Sequence, residues 1–169
     1  MIITFWKWFW NGAHKSKPGY RLLMGRMTLI HIGIAVAMSN LMVPDPFDFA
    51  AKALFPAASI LVSMAVAWTS RASTIIQDKP FRDKMLSERN PLESYVYGYQ
   101  LSLLILILMV IYVAIMAGGG LDIIISDRRI SVAISGFWLY FFLSLGIEQC
   151  WQVIDFSNLL TLLHNKAKD

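Results

Sequence analysis

A histidine inside an apolar segment is the first candidate for chemistry. His31 stands within residues 27–44, a run that contains no charged side chain. An ionisable group in a segment that crosses lipid is a candidate functional site, because placing it there costs free energy. Two interpretations are open. The imidazole lines a water-filled path or acts as a titrating gate, or it is neutral and hydrogen-bonds a serine or carbonyl of a neighbouring helix.

Polar residues also gather at the end of the last apolar run. Glu148, Gln152 and Asp155 are spaced i, i+4 and i+7, so they share one face of a helix. If copies of the chain surround an axis with this face inward, the carboxylates form an acidic ring that attracts cations. Alternatively, Glu148 marks the helix boundary in water or pairs with Arg71. Asn40, near the outer end of the first run, either rings an outer mouth or joins helices by a hydrogen bond.

The sequence lacks the residue patterns on which several classes of enzyme depend. The sequence contains no P-loop, no GxGxxG and no HExxH. Membrane thiol oxidoreductases need paired cysteines, and Cys150 is the only cysteine. Four-helix dihaem cytochromes need several histidines within the membrane, and small multidrug exporters need an acid in the first span. We therefore expect a protein that is not an enzyme and that binds no cofactor or metal.

The elements that position these residues follow from composition. The 169 residues are 57% hydrophobic and 15% charged, with a mean hydropathy of +0.56, whereas a soluble domain carries about 25% charged residues. Uncharged runs cover residues 27–44, 53–70, 94–121 and 130–147. Each is long enough for a spanning helix of about 20 residues, and lipid requires helical backbone. We predict an all-α integral membrane protein, a single domain over residues 1–169 with four transmembrane helices.

Basic residues set the predicted orientation. Of the 15 Lys and Arg residues, 12 belong to the two termini and to the bend between the second and third spans. Because Lys and Arg are enriched in cytoplasmic loops, we place both termini and this bend in the cytoplasm and the chain in the inner (plasma) membrane. The net charge of +4 is modest. It relates to topology and the lipid bilayer, so no direct nucleic-acid partner is expected.

Local signals give helix bounds. Residues 45–48 and 90–93 each supply a capping side chain, a proline at the first helical position and an acid at the third. We predict helices from Pro46 to about Gln77, with a kink at Pro56, and from Pro91 to Ala117, where three glycines follow. Both are longer than the hydrocarbon core of about 30 Å. They should extend into the cytoplasm, as should the last helix, which starts near Ser126.

Three segments lie outside the predicted spans. Residues 1–21 carry Trp6, Trp8 and Trp10 around Lys7, a composition typical of an interfacial anchor. Residues 71–93 form a cytoplasmic hairpin, and residues 148–169 form a cytoplasmic C-terminal helix, continuous with the fourth span or bent along the membrane. The hairpin is where a soluble cytoplasmic partner would dock. Its candidate docking residues are Arg82, Lys84 and Arg89.

Side-chain size predicts how the spans pack. The third span is large and apolar on all sides, so we expect it to face lipid. The first two spans carry small residues four apart, which allow close helix approach in lipid. The pairs singled out are Gly33 with Ala37 and Ser59 with Ser63. We expect the first two spans to form the tightly packed part, within one subunit or between copies.

These features support a non-enzymatic membrane subunit. The leading hypothesis is a homo-oligomer that conducts ions or holds a soluble cytoplasmic partner at the membrane. Four helices are too few to enclose a path, so conduction requires several copies. The alternatives are a pore-less scaffold and a small proton-coupled transporter with His31 as the coupling site. Size and span count also match membrane subunits of prokaryotic defence or stress systems and immunity proteins to pore-forming bacteriocins, a likeness of architecture without a shared motif.

Overall fold

The computed structural model describes residues 4–12, 17–41, 45–79, 92–120 and 128–168. These residues are almost all helical, and none of them lies in a strand. The elements used below are α1 (Phe5–Asn11), a 3₁₀ turn (Gly19–Leu22), α2 (Arg26–Leu41), α3 (Pro46–Gln77), α4 (Leu92–Ala117) and α5 (Arg128–Lys168). The predicted all-helical class is confirmed for the described part of the chain.

Three helices are long and apolar enough to cross a membrane. They comprise α3, α4 and the part of α5 from Val132 to Leu162. The remaining apolar helix, α2, has 16 residues, a length of about 24 Å at 1.5 Å per residue. That is shorter than the hydrocarbon core of about 30 Å. The chain is therefore a membrane protein with three helices of spanning length and a fourth, shorter apolar helix.

The predicted start of α3 is confirmed by its cap. Asp45 accepts hydrogen bonds from the backbone N–H groups of Phe47 at 2.9 Å and Asp48 at 3.3 Å. Where a kink was expected at Pro56, the helix has a π turn over Ala50–Leu54. Proline has no N–H to donate, and its ring clashes with the carbonyl four residues earlier. The π turn places the irregular hydrogen bonding directly ahead of that proline.

Glycines end α4 where the sequence predicts. Gly119 and Gly120 have φ values of 105° and 84°, in the left-handed region that favours glycine. The Gly120 N–H donates to the carbonyl of Ile115 at 2.9 Å. A Cβ atom at Gly120 would lie 2.5 Å from Cε1 of Phe47. This close approach joins the start of α3 to the end of α4.

The third span (α4), which we expected to face lipid on all sides, instead buries one face inside the protomer. It packs against both α3 and α5, and its apolar stretch is more buried than theirs, at 39% against 22% and 33%. Its fully buried side chains are Leu106, Met109, Val113 and Met116. Large apolar side chains suit both lipid and a protein interior. Hydropathy alone therefore does not separate the two environments.

The small residues do not pair α2 with α3 inside the protomer. The main neighbour of α2 is α5, whereas α3 packs against α4 and α5. Gly33, Ala37, Ser59 and Ser63 are all exposed, and a Cβ atom at Gly33 would meet nothing within 4 Å. The prediction of tight pairing within one subunit is thus wrong, and the alternative, packing between copies, stays a prediction.

The N-terminal tryptophans have different environments. Trp8 is only 2% exposed, because its ring packs against Gly19 and lies 5.7 Å from the Tyr97 ring of α4. Trp6 and Trp10 remain exposed. Trp8 therefore attaches α1 to the rest of the protein and is not part of the expected membrane anchor. Trp6 and Trp10 remain candidate interfacial residues.

The last helix is continuous. α5 contains 41 residues, a length of about 61 Å, so the alternative of a bend along the membrane is wrong for the described part. No bilayer core of about 30 Å can contain it. Glu148 and the polar residues after it thus stand on the same uninterrupted helix as the apolar run 130–147.

Candidate functional site

The site is built on the contact between α2 and α5. On α2, His31 and Ala35 lie one turn apart and form its buried face. Across the contact, Nε2 of His31 lies 2.5 Å from Oε2 of Glu148. The two side chains are 8% and 21% exposed. A close pair of ionisable groups thus lies between two helices whose other side chains are largely apolar.

The Glu148 carboxylate is held from two sides. Its other oxygen, Oε1, accepts a hydrogen bond from Nε2 of Gln152 at 2.8 Å, one turn further along α5. Among the described residues, Nδ1 of His31 is buried and has no hydrogen-bond partner. A proton there would lack an acceptor, which is costly in a buried site. Nε2 is therefore the imidazole nitrogen that contacts the carboxylate, and Nδ1 has no partner among the described residues.

The contact between His31 and Glu148 differs from the alternatives that the sequence left open, which were a serine or carbonyl partner for His31 and Arg71 as the partner of Glu148. The partner of His31 is a carboxylate, neither a serine nor a backbone carbonyl. Glu148 pairs with His31 rather than with Arg71, whose guanidinium lies over the Trp68 ring at 5.4 Å from its centroid. The structure thus brings together two of the predicted site residues that lie on different helices.

A second polar contact joins α4 to α5. The hydroxyl of Ser102 donates to Oε1 of Gln149 at 2.8 Å, and both side chains are buried. Sequence reasoning missed Ser102, which stands alone among large apolar residues of the third span. An isolated serine in such a run was the available signal, since buried polar groups need partners.

A cavity of about 480 Å³ opens beside these contacts, between α4, α5 and the 3₁₀ turn. Its polar wall includes Gln152 and Asp155, which belong to the predicted face of α5. Glu148, the third member of that face, is turned to His31 and does not line the cavity. The full lining is Leu22, Ser94, Tyr95, Gly98, Tyr99, Leu101, Ser102, Gln149, Gln152, Val153, Asp155 and Phe156.

A smaller cavity of about 240 Å³ lies between α3 and α4. Tyr99 lines this cavity as well as the larger one. Its hydroxyl is buried and finds no hydrogen-bond partner among the residues that the structure describes. Tyr99 is therefore the side chain shared by the two cavities.

A third contact lies near the far end of α5. Nδ1 of His164 lies 3.3 Å from Oδ2 of Asp78, the residue that follows α3. The side chains are 17% and 36% exposed, more than those of His31 and Glu148. The two atoms are buried and form no hydrogen bond with any described residue, so the ends of α3 and α5 meet in a close contact rather than in a hydrogen-bonded pair.

The other candidate residues are placed as follows. The side-chain amide of Asn40 is exposed and donates to the carbonyl of Val36, on its own helix, at 2.6 Å. It does not join helices within the described part of the protomer. Arg82, Lys84 and Arg89 lie outside the described residues.

No group of three or more His, Cys, Asp or Glu side chains among the described residues is arranged to hold a metal ion. The chain matches no protein-family model, no curated protein and no solved structure.

Proposed function

We propose that the chain is a non-enzymatic subunit of the inner (plasma) membrane whose copies assemble to conduct cations. One observation carries the proposal, namely the carboxylate of Glu148 held by His31 and Gln152 between two apolar helices. Ionisable groups inside membrane segments are rare, and where they occur they mark ion and proton pathways. A carboxylate favours cations among the ions that it meets.

The contact between α2 and α5 supplies the proposed gate. In the described state His31 covers Oε2 of Glu148 at 2.5 Å. The main neighbour of α2 is α5, so α2 can move without disrupting the core around α4. Displacement of α2 removes the imidazole and leaves the carboxylate free to bind a cation. His31 is the gate and Glu148 the cation ligand in this proposal.

Exposed small residues support assembly. Gly33 and Ala37 on α2 and Ser59 and Ser63 on α3 face away from the protomer. In lipid, small residues let helix backbones of neighbouring subunits approach closely. The core around α4 is filled by side chains, so a conducting path between copies fits the fold better than one through a single protomer.

The proposal includes a four-span topology with both termini in the cytoplasm. It rests on α2 as the fourth span and on the 12 basic residues that lie at the termini and the central bend. The test uses a chain with Cys150→Ala and one added cysteine, Lys52→Cys or Lys79→Cys. In sealed right-side-out vesicles we expect a membrane-impermeant maleimide to label only Lys52→Cys.

Both cysteines should react once the vesicles are made permeable, which is the control for accessibility. Labelling at position 79 in sealed vesicles contradicts the orientation, and labelling at both positions contradicts the crossing between them.

Conduction is tested with the purified full chain in liposomes under a potassium gradient. We expect wild-type flux above that of empty liposomes, and a fall of about tenfold or more with Glu148→Gln, which removes the charge but keeps the shape. The matched control is Asp48→Asn, which removes one exposed acid at the start of α3 and should leave flux unchanged. Wild-type flux equal to the empty liposomes, or full flux through Glu148→Gln, contradicts the proposal.

A small proton-coupled transporter is the second candidate. It is favoured by Gln152, which both binds Glu148 and lines the cavity of about 480 Å³. A proton on the His31–Glu148 pair and a solute in that cavity would then compete or cooperate through one side chain. Partner docking, a pore-less scaffold or immunity role, and membership of a prokaryotic defence or stress system stay predictions of the sequence.

A further inference from the structure

We infer that the cavity of about 480 Å³ between α4 and α5 binds a lipophilic organic monocation. The inference does not depend on conduction, because it concerns the cavity lining and not the His31–Glu148 pair. Pockets for small organic ligands measure about 300–1,000 Å³, so the volume suits such a molecule. A single metal ion is too small, since its ligands must lie within about 2.6 Å.

The sign of the ligand's charge follows from the lining. Asp155 is the only charged side chain among the described residues of the wall, which include no Lys, Arg or His. Its carboxylate forms no ion pair with any residue that the structure describes. Asp155 is exposed, so its charge lies on the solvent side of a mostly apolar wall, where a carboxylate attracts a cation and disfavours an anion.

Aromatic rings supply the second element of the site. Tyr95 and Phe156 are stacked with centroids 5.5 Å apart, and Tyr99 lies against Phe156 at the same distance. All three line the cavity. Aromatic rings attract organic cations electrostatically and pack against their hydrocarbon groups. This wall therefore favours a cation whose charge is surrounded by apolar groups over a strongly hydrated one.

Most other polar groups of the cavity wall already have hydrogen-bond partners within the protein. Ser102 and Gln149 hydrogen-bond each other, and Gln152 donates to Glu148. Leu22, Leu101 and Val153 are apolar. Since the amides and Ser102 already have partners, the Asp155 carboxylate and the buried, unpartnered Tyr99 hydroxyl are the groups left to orient a ligand, and only Asp155 is charged. The expected ligand is an apolar body with a single positive charge.

Tetraphenylphosphonium is the probe, and tetraphenylborate, of the same shape and opposite charge, is its comparison. Binding is measured by equilibrium dialysis on the purified full chain in non-ionic detergent. We expect tetraphenylphosphonium to bind at least about tenfold more tightly than tetraphenylborate, and Asp155→Asn to weaken it about tenfold, because the amide lacks the negative charge that attracts the cation. Asp48→Asn, the control for loss of one acid, should leave binding unchanged.

A cavity-filling variant gives an independent result. A Cβ atom at Gly98 would meet nothing within 4 Å, and Gly98 lines the cavity, so Gly98→Leu should fold and abolish binding of the cation. Equal binding of the two probes, or unchanged binding in both Asp155→Asn and Gly98→Leu, overturns the inference. Binding is measured in detergent without an ion gradient, so failure of conduction and failure of this site are distinguishable.

Discussion

Replacing His31 with leucine is expected to lower the apparent free energy of unfolding by about 3 kcal/mol, while adding Glu148→Leu recovers most of the loss. The single change leaves the carboxylate of Glu148 between α2 and α5 without the imidazole that lies 2.5 Å from it. Removing one partner of a buried pair destabilises the fold more than removing both, because the remaining carboxylate is still out of water and has lost the group that compensated for its desolvation. The Glu148 side chain is 21% exposed, so the cost should fall at the low end of the range for buried pairs.

The effect is also expected to be specific to α2. In lipid no hydrophobic force drives helices together, and this pair is the polar contact between α2 and α5. Unfolding in mixed micelles, followed through the fluorescence of the six tryptophans, measures the four chains of a double-mutant cycle. His164→Leu is the control. Its pair with Asp78 is more exposed, and we expect a loss below about 1 kcal/mol. Additive losses from His31 and Glu148 would show that the pair is not coupled.

The second large effect is expected at Gly146. This glycine on α5 faces the Met109 side chain of α4, and an added Cβ atom would overlap Sδ and lie 3.2 Å from Cγ. Met109 is fully buried, so its chain has no open space to move into. Overpacking of this kind costs about 1–3 kcal/mol. We therefore expect Gly146→Ala to destabilise the protein although alanine is the better helix former.

Gly136, on the same helix, provides the matched control. A Cβ atom there would meet nothing within 4 Å, so Gly136→Ala should stabilise the protein by up to about 1 kcal/mol through helix propensity. Met109→Ala alone should cost about 2–4 kcal/mol by opening a cavity, and Gly146→Ala should then cost little in that background. Unfolding in the same micelles gives all four values. Gains of equal size at positions 136 and 146 would contradict the described contact.

The elements predicted correctly depend on neighbouring residues in the chain. The start of α3 follows from Asp45 accepting bonds from N–H groups two and three residues away. The end of α4 follows from glycines that adopt positive φ. Such caps need no information about distant parts of the fold, and for this reason these two bounds were predicted correctly. The predicted helix starts at Pro91 and near Ser126 or Asp127 lie outside the described residues.

The arrangement of helices was the part that sequence did not determine. The third span was assigned to lipid, yet one of its faces is buried in the protomer, since a run of large apolar residues satisfies both environments. Trp8 was assigned to the headgroups and is buried, because Gly19 leaves room for its ring. Each error concerns whether an apolar side chain contacts lipid or the interior of the protein. In a membrane the hydrophobic effect does not distinguish the two, because both are apolar.

The candidate site was predicted in pieces. Periodicity placed Glu148, Gln152 and Asp155 on one helical face. His31 was identified because an ionisable side chain in an apolar segment costs free energy. The contact between His31 and Glu148 joins residues 117 positions apart in sequence, and no local pattern encodes such a contact. The face itself divides, with Glu148 turned to α2 and Asp155 turned to the cavity.

The unbroken α5 has a mechanical consequence. His164 follows Glu148 by 16 positions, a rise of about 24 Å, with no proline or glycine between them to act as a hinge. A stiff rod of this kind transmits displacement along its length. A displacement at the His164 end, where Nδ1 lies 3.3 Å from Oδ2 of Asp78, is therefore passed along a single helix to Glu148 and to the His31 imidazole that it contacts.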